Sequence, residues 1–369
     1  MSCDFLSLAN TGVQKLLPYQ AGKPTDELER ELGIYNIIKL ASNENPLGLA
    51  QSVKDALQKE LSELTRYPDA NGYYLKKALA NKYDVDAGQV TLGNGSNDLL
   101  ELIARAFVSH EHEVMFAEHA FVVYPLVTQA IGATAVAVPA KDYGHDLEAM
   151  ANAITDKTKL IFIANPNNPT GTFLEQDALQ TFLGKVPSNV LVVLDEAYFE
   201  YATVSRRGNA IAWIAEFPNL IISRTFSKAY GLAGLRVGYS ISCPEIADIL
   251  NRVRQPFNCN ALALKAAETV LNDEAYLQKS VLLNNQGMDD LSAFFTDNNL
   301  EYIASMGNFI TVNVGKSGDE VYQALLQEGV IVRPITGYGL PNHLRISIGT
   351  NSENQRFKEA LSKVLNLES

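Results

Sequence analysis

Residues 223–236 read SRTFSKAYGLAGLR, a segment that surrounds Lys228 with hydroxyl-bearing and small residues and places Arg236 shortly after it. A lysine side chain has a pKa of about 10.4 in water, so it condenses with an aldehyde near neutral pH only if burial or a neighbouring cation lowers that pKa. Arg236 is such a cation. The segment therefore indicates a lysine that bonds covalently to a cofactor.

Two further motifs precede this segment. Residues 168–171 read NPTG and residues 195–198 read DEAY. In this order, the three motifs resemble those of pyridoxal-phosphate-dependent aminotransferases of fold type I, and three ordered motifs are far more specific than any one of them. The resemblance implies pyridoxal 5′-phosphate as the cofactor and Lys228 as its covalent anchor.

The two ends of the chain resemble one branch of that family, the histidinol-phosphate aminotransferases. The similar segments are residues 18–24 (PYQAGKP), 40–48 (LASNENPLG), 332–334 (VRP) and 344–350 (LRISIGT). The resemblance thus covers nearly the whole chain. It implies a homodimer with a shared active site. It also implies, in histidine biosynthesis, the conversion of L-histidinol phosphate and 2-oxoglutarate into imidazole-acetol phosphate and L-glutamate.

The net charge of the chain bears on the classes of partner that it can bind. The 369 residues carry a formal net charge of −12, whereas a nucleic-acid surface needs clustered lysine and arginine. No run of 18 apolar residues occurs, and the first residues lack the basic region and apolar core of a secretory signal. We therefore expect a cytoplasmic protein that binds neither nucleic acid nor membrane.

Neither the cysteines nor the histidines indicate a metal site. Cys3, Cys243 and Cys259 are odd in number and widely spaced, as expected for reduced thiols rather than a disulfide framework. Residues 110–113 (HEHE) lack the spacing and supporting ligands that zinc prefers, so we interpret them as a polar turn. We expect no metal and no cysteine nucleophile.

Short apolar runs alternate with helical stretches from about residue 85 to residue 245. They predict the seven strands of an α/β domain, whose mostly parallel sheet is covered by helices on both faces. The runs are residues 89–92, 113–117, 135–138, 159–164, 190–194, 220–223 and 237–241. Ligands bind such sheets beyond the carboxyl ends of the strands, and each motif of this region follows a strand.

After residue 260 the pattern changes to long helices and then to two strands that alternate with two helices. The helices are residues 261–271 and 274–295, and the ending comprises residues 308–314, 318–328, 344–349 and 352–365. This predicts a smaller α+β domain. We expect three regions: an N-terminal arm with part of the small domain in residues 1–45, a large cofactor-binding domain in 46–260, and a small C-terminal domain in 261–369.

Residues 93–98 (GNGSND) follow a predicted strand and open a helix, whose free N–H groups and dipole suit a phosphate. A tight turn that binds no ligand would show the same kind of sequence. The spacing of the glycines is not that of a dinucleotide-binding site. The family usually has Gly-Ser-Asp-Glu where this chain has residues 95–98 (GSND). The resemblance assigns to the phosphate Ser96, Asn97, Thr225, Ser227, Arg236 and, from the neighbouring subunit, Tyr67.

Asp195 ends an apolar strand, where a buried carboxylate needs a partner. A helix cap or turn is the usual role of such a residue, but the resemblance pairs Asp195 with the pyridine nitrogen of the cofactor. A protonated ring nitrogen lets the cofactor withdraw electrons from the substrate. The resemblance also assigns Asn168 and Tyr198 to the phenolic oxygen of the ring and Phe121 to stacking on its face.

Arg345 lies within an apolar strand, where an unpaired guanidinium is costly, so an anionic substrate or a structural ion pair is expected beside it. The resemblance assigns Arg345 to the substrate carboxylate. It assigns Arg333, with Tyr19 and Asn43, to a phosphate monoester. Lys228 would be the catalytic residue that moves a proton between the substrate Cα and the cofactor.

Other functions retain many of these features. An aromatic amino-acid aminotransferase and a threonine-phosphate decarboxylase share the whole cofactor set, so the motifs do not exclude them. A non-catalytic regulator that binds the cofactor would be expected to carry a basic DNA-binding extension. A nucleotide-dependent oxidoreductase predicts a protein without visible absorption.

Overall fold

The computed structural model describes residues 3–18 and 22–367. The strands are β1 (Ile38–Lys39), β2 (Val90–Gly93), β3 (Glu113–Ala117), β4 (Thr134–Val138), β5 (Thr158–Ala164), β6 (Leu191–Asp195), β7 (Leu220–Thr225), β8 (Gly238–Ile241), β9 (Tyr302–Ile303), β10 (Phe309–Asn313), β11 (Val330–Ile331), β12 (Arg333–Pro334) and β13 (His343–Ser347). The α-helices are α1 (Phe5–Leu8), α2 (Thr25–Leu32), α3 (Gln51–Glu60), α4 (Tyr73–Tyr83), α5 (Ser96–Phe107), α6 (Val123–Ile131), α7 (Leu147–Asn152), α8 (Gln176–Leu183), α9 (Pro244–Val253), α10 (Ala261–Leu271), α11 (Glu274–Asp297), α12 (Gly318–Gln327) and α13 (Asn351–Leu365).

Seven strands form a central sheet in the order β2-β8-β7-β6-β5-β3-β4. Only β8 runs opposite to the other six strands, so the prediction of a mostly parallel seven-stranded sheet is confirmed. The inner strands β6 and β7 are buried along their full length, which explains why their sequences are continuous apolar runs instead of alternating ones.

Helices cover both faces of this sheet. Side chains of α3, α4, α8 and α10 pack against one face, and side chains of α5, α6 and α9 pack against the other. The α/β fold class predicted from the sequence is therefore confirmed. Because both faces are covered, the polar residues that follow the strands gather at the carboxyl edge of the sheet.

A second, antiparallel sheet has the order β12-β13-β10-β9 and packs against α11 and α13. A separate two-stranded parallel ladder joins β1 to β11, which ties the N-terminal segment to the C-terminal part of the chain. The sequence predicted β10, β13, α12 and α13. It missed β1, β9, β11 and β12, because two-residue strands are too short to show a periodic pattern. The three domain boundaries stay a prediction.

No helix in the described ranges is long and apolar enough to cross a membrane. Within the same ranges, no group of three or more histidine, cysteine or acidic residues is arranged to hold a metal ion. Cys3, Cys243 and Cys259 are all free thiols.

Candidate active site

A cavity of about 200 Å³ lies at the carboxyl ends of β5, β6 and β7, between the central sheet and the antiparallel sheet. Thirteen of the residues predicted for the site line it: Asn43, Ser96, Asn97, Phe121, Asn168, Asp195, Tyr198, Thr225, Ser227, Lys228, Arg236, Arg333 and Arg345. Tyr67 is not part of this wall, and Tyr19 lies outside the described residues. The fold thus collects in one place groups that are spread over most of the chain.

Lys228 follows β7, and its Nζ donates a hydrogen bond to the carbonyl oxygen of Ser42 at 3.0 Å. Burial, followed by the cation of Arg345, lowers the pKa of Lys228 to about 7. The effect of Arg236 on this pKa has the same sign but is smaller than that of Arg345. The sequence indicated Arg236 as the cation that lowers this pKa, whereas Arg345 has the larger effect.

This pKa predicts how the cofactor attaches. Only the neutral amine attacks an aldehyde, so the rate at which apoprotein bonds to pyridoxal phosphate should rise about tenfold per pH unit below pH 7 and level off above it. Rapid-mixing absorbance measurements follow this rate. In the variant Arg345→Gln, the plateau should move to higher pH because one cation is lost. A wild-type rate that climbs steadily to pH 10 would contradict the lowered pKa.

Asp195 has one satisfied and one unsatisfied oxygen. The hydroxyl of Tyr124 donates to its Oδ2 at 2.8 Å, whereas Oδ1 is buried at the cavity without a hydrogen-bond partner among the described residues. Burial raises the pKa of Asp195 to about 6, against the opposing effects of Tyr124 and of the nearby backbone N–H of Ala197. A buried carboxylate oxygen of this kind requires a hydrogen-bond donor, and a cationic ring N–H is a suitable one. The free acceptor oxygen of Asp195 therefore suits a pyridinium ring.

Tyr198 and Asn168 lie on the same cavity wall. The Tyr198 oxygen accepts a hydrogen bond from Asn43 Nδ2 at 2.9 Å, and burial raises the pKa of Tyr198 to about 12, so its phenol keeps its proton at neutral pH. Asn168 Oδ1 accepts a hydrogen bond from Arg345 Nη1 at 2.6 Å, which fixes its carboxamide. Both residues are oriented by a neighbour before any ligand binds.

Asn43 makes more hydrogen bonds within the protein than the sequence indicated. Besides its bond to Tyr198, its Oδ1 accepts from Ser347 Oγ at 3.1 Å, and its carbonyl oxygen accepts from Asn308 Nδ2 at 3.0 Å. The side chain is buried and connects the central part of the chain with β13. Asn43 therefore orients Tyr198, and its direct contact with substrate stays a prediction.

The start of α5 forms a candidate anion site. This helix begins at Ser96 without a side-chain cap, and the guanidinium of Arg236, bonded to Ser227 Oγ at 3.2 Å, lies against Gly95. A Cβ at Gly95, whose φ is +82°, would lie 2.4 Å from Arg236 Nη2, so only glycine permits this approach. Uncapped N–H groups beside an arginine favour a phosphate.

The two arginines of the antiparallel sheet are register partners. Arg333 on β12 is directly opposite Arg345 on β13, and both line the cavity. Arg345 Nη2 donates to the carbonyl oxygen of Ala41 at 2.7 Å, and its guanidinium lies 5.4 Å from the Phe309 ring centroid. Two adjacent cations at one end of a cavity favour an anionic ligand there.

Tyr67 lies apart from this cavity. It is 82% exposed and stacks on Phe257, with ring centroids 4.6 Å apart. Phe257 is itself exposed, which is unusual for two contacting aromatic rings. A single chain therefore does not bring Tyr67 to its own cavity.

Sequence reasoning missed several members of the site. The cavity is also lined by Gly22, Ala41, Ser42, Ala164, Pro166, Ala197 and Tyr338. Ser42 lies within a segment singled out earlier, but its contribution is a backbone carbonyl, which no side-chain pattern reveals. Tyr124, the partner of Asp195, is fully buried, and its sequence context is that of an ordinary core aromatic.

Comparison with known proteins agrees with the fold. Residues 35–361 match the model of the family "Aminotransferase class I and II", and the chain belongs to this family. Within it, the chain groups with the histidinol-phosphate aminotransferases. It is 64% identical to histidinol-phosphate aminotransferase 1 of Idiomarina loihiensis, covering 97% of this chain and 98% of that protein. It is 58% identical to histidinol-phosphate aminotransferase 2 of Pasteurella multocida, with 98% and 100% covered.

A solved structure leads to the same family. The crystal structure of histidinol-phosphate aminotransferase from Sinorhizobium meliloti in complex with pyridoxal-5′-phosphate superimposes with a TM-score of 0.87. It is 29% identical and covers 96% of this chain and 97% of that one. A regulator or a nucleotide-dependent oxidoreductase is therefore the wrong class for this chain, which is an aminotransferase.

Proposed function

We propose that this chain uses pyridoxal 5′-phosphate to transfer the amino group of L-histidinol phosphate to 2-oxoglutarate. The products are imidazole-acetol phosphate and L-glutamate, and the reaction is a step of histidine biosynthesis. The observation that carries the proposal is the meeting, in one cavity, of Lys228, the unsatisfied oxygen of Asp195 and the anion site at the start of α5. The names of the relatives support the choice of substrate.

The cavity residues divide into groups that suit each part of the cofactor. The phosphate would be held by Ser96, Asn97, Thr225, Ser227 and Arg236, and the ring by Phe121, Asn168, Asp195 and Tyr198. When bound, the cofactor supplies an electron-withdrawing ring that stabilises negative charge on the substrate carbon. The ionised Asp195 favours the protonated ring nitrogen on which that property depends.

Lys228 is proposed as both general base and general acid. With a pKa of about 7, its amine is substantially neutral at neutral pH and accepts the proton from the substrate Cα. The resulting ammonium ion then donates a proton on the cofactor side. A pKa close to the working pH makes both transfers accessible to one group.

The arginine pair would bind the negative charges of the two substrates. We propose that Arg345 binds the carboxylate of glutamate or 2-oxoglutarate, and that Arg333, with Tyr19 and Asn43, admits the phosphate ester. Cross-strand neighbours at the same end of the cavity suit two substrates that carry their anionic groups at similar distances from the reacting amine.

A donor comparison tests the proposed substrate. Purified holoenzyme should show its highest kcat/KM with histidinol phosphate when histidinol phosphate, phenylalanine and threonine phosphate are compared. Preference for phenylalanine would identify an aromatic amino-acid aminotransferase instead. Release of carbon dioxide from threonine phosphate would identify a decarboxylase.

We also propose a homodimer in which Tyr67 reaches the cofactor phosphate of the neighbouring subunit. Its exposure, and its stacking on the exposed Phe257, support a contact with a second chain. The proposed location is the cytoplasm, which the free cysteines support because thiols stay reduced there.

Hybrid dimers test the shared site. Tyr67→Phe alone should weaken cofactor binding, and Lys228→Ala alone should be inactive. In a hybrid of the two chains, the site with an intact Lys228 would receive an intact Tyr67 from its neighbour. Its cofactor affinity, measured through activity, should therefore equal that of the wild type. If the hybrid keeps the weak affinity of Tyr67→Phe, Tyr67 serves its own chain.

A further inference from the structure

The turn that connects the two arginine-bearing strands places an aromatic side chain at the cavity. This 3-10 turn, Thr336–Tyr338, lies between β12, which carries Arg333, and β13, which carries Arg345. Tyr338 lines the cavity together with both arginines. A phenol beside a cationic pair adds a neutral, directional hydrogen-bond donor to the anion-binding end of the cavity.

The turn is held from two sides. Thr336 Oγ1 donates to Asp319 Oδ2 on α12 at 2.7 Å, which fixes the start of the turn to the antiparallel sheet's own helix. At the other end, His119 Nδ1 lies 2.7 Å from the carbonyl oxygen of Tyr338 and donates to it. Gly339 follows with φ +79°, a conformation that glycine adopts without strain.

His119 belongs to the opposite side of the cavity. It follows β3 of the central sheet, and its own carbonyl oxygen accepts a hydrogen bond from Asn167 Nδ2 at 2.9 Å. Asn167 immediately precedes Asn168, one of the cavity residues. His119 thus connects the edge of the central sheet with the turn that carries Tyr338.

Tyr338 and Tyr198 line the same cavity. The charge of Tyr338 is among the influences that raise the pKa of Tyr198, so the two phenols are electrostatic neighbours. Tyr198 is buried at the same cavity. Tyr338 is half-buried in this cavity wall, so part of its side chain remains accessible to a ligand that enters the cavity.

We propose that Tyr338 contacts the substrate and determines specificity by donating a hydrogen bond from its hydroxyl to the phosphate ester that Arg333 binds. His119 is the positioning residue that holds Tyr338 through its carbonyl oxygen. This inference rests on the proposed function, because it assumes a donor that carries a phosphate ester.

The variant Tyr338→Phe tests the contact, with histidinol phosphate and unphosphorylated histidinol compared as donors. The KM for histidinol phosphate should rise about tenfold, as expected when one hydrogen bond to a charged group is lost. The kcat, the KM for histidinol and the absorption spectrum of the bound cofactor should not change. Tyr143→Phe is the matched control, because its ring lies 6.3 Å from that of His119 but outside the cavity wall.

An unchanged preference for the phosphorylated donor in Tyr338→Phe would overturn the inference while leaving the proposed function intact. Failure of the wild-type holoenzyme to transaminate histidinol phosphate would overturn the proposed function, and the inference with it. The two failures are therefore distinguishable in one set of assays.

The positioning role of His119 requires its own variants. His119→Ala should raise the KM for histidinol phosphate in the same direction, and His119→Asn, whose amide also donates, should restore it. The double variant His119→Ala/Tyr338→Phe should be no worse than Tyr338→Phe, since His119 acts through Tyr338. Equal increases in KM in His119→Ala and His119→Asn would show that His119 does not position Tyr338 through this hydrogen bond.

Discussion

Replacing Lys228 with alanine is expected to lower the transamination rate by at least about 10⁴-fold, because a positioned proton-transfer group alone contributes up to about that factor and the covalent anchor is lost as well. The anion site at the start of α5 does not involve the Lys228 amine. Cofactor binding should therefore remain detectable in Lys228→Ala. Single-turnover kinetics and an equilibrium titration with pyridoxal phosphate measure the two effects separately.

A matched control is Lys316→Ala, which removes an exposed lysine and should leave both quantities unchanged. Borohydride reduction of the wild-type holoenzyme followed by peptide mapping should place the cofactor adduct on Lys228. Normal turnover by Lys228→Ala, or an adduct on any other residue, would show that the proposed mechanism is wrong.

The second large effect is expected at Asp195. In Asp195→Asn the carboxamide oxygen still accepts the Tyr124 hydroxyl, but an amide N–H₂ replaces the unsatisfied oxygen and cannot accept the ring N–H. The ring nitrogen then loses the charge that favours its protonation. We expect kcat to fall about 10²–10³-fold, the size typical for loss of one preorganised electrostatic group. Cofactor affinity should fall too, and Asp195→Ala should weaken both properties further.

The pH dependence of apoprotein stability offers a second measurement on the same residue. The pKa of Asp195 is raised from 3.8 to about 6, so between these pH values the folded state holds a proton that the unfolded state has released. The contribution of Asp195 to stability should therefore decline as the pH rises from 3.8 to about 6. Asp195→Asn should remove this slope, whereas Asp55→Asn, at an exposed carboxylate, should retain it. Identical slopes in wild type and Asp195→Asn would contradict burial as the cause.

The fold was predictable because its signals are local. Each inner strand of the central sheet is a short apolar run bounded by helical sequence. Such a run predicts a buried strand without reference to distant parts of the chain. The direction of β8 and the two-residue strands β1, β9, β11 and β12 were not predictable in this way. They depend on pairing between distant segments, as in the ladder that joins Ile38 to Val330.

The residues that line the cavity were predictable for a different reason. Residues that follow parallel strands converge at one edge of the sheet, so the sequence predicts that Asp195, Asn168 and Lys228 lie close together. Tyr67 shows the limit of this reasoning. Its motif was recognisable, but the folded single chain carries it on the surface, and its proposed role at the cavity requires a second chain.

The amino-acid sequence alone determined the longer strands and helices and the groups able to perform the chemistry. It could do so because periodicity and motif spacing are properties of neighbouring residues. The pKa values and hydrogen-bond partners of those groups are decided only by the folded chain. Burial and Arg345, more than a hundred residues away in sequence, lower the pKa of Lys228, and Tyr124 donates to only one of the two oxygens of Asp195. Desolvation and charge act through space, and the distances on which they depend exist only after folding.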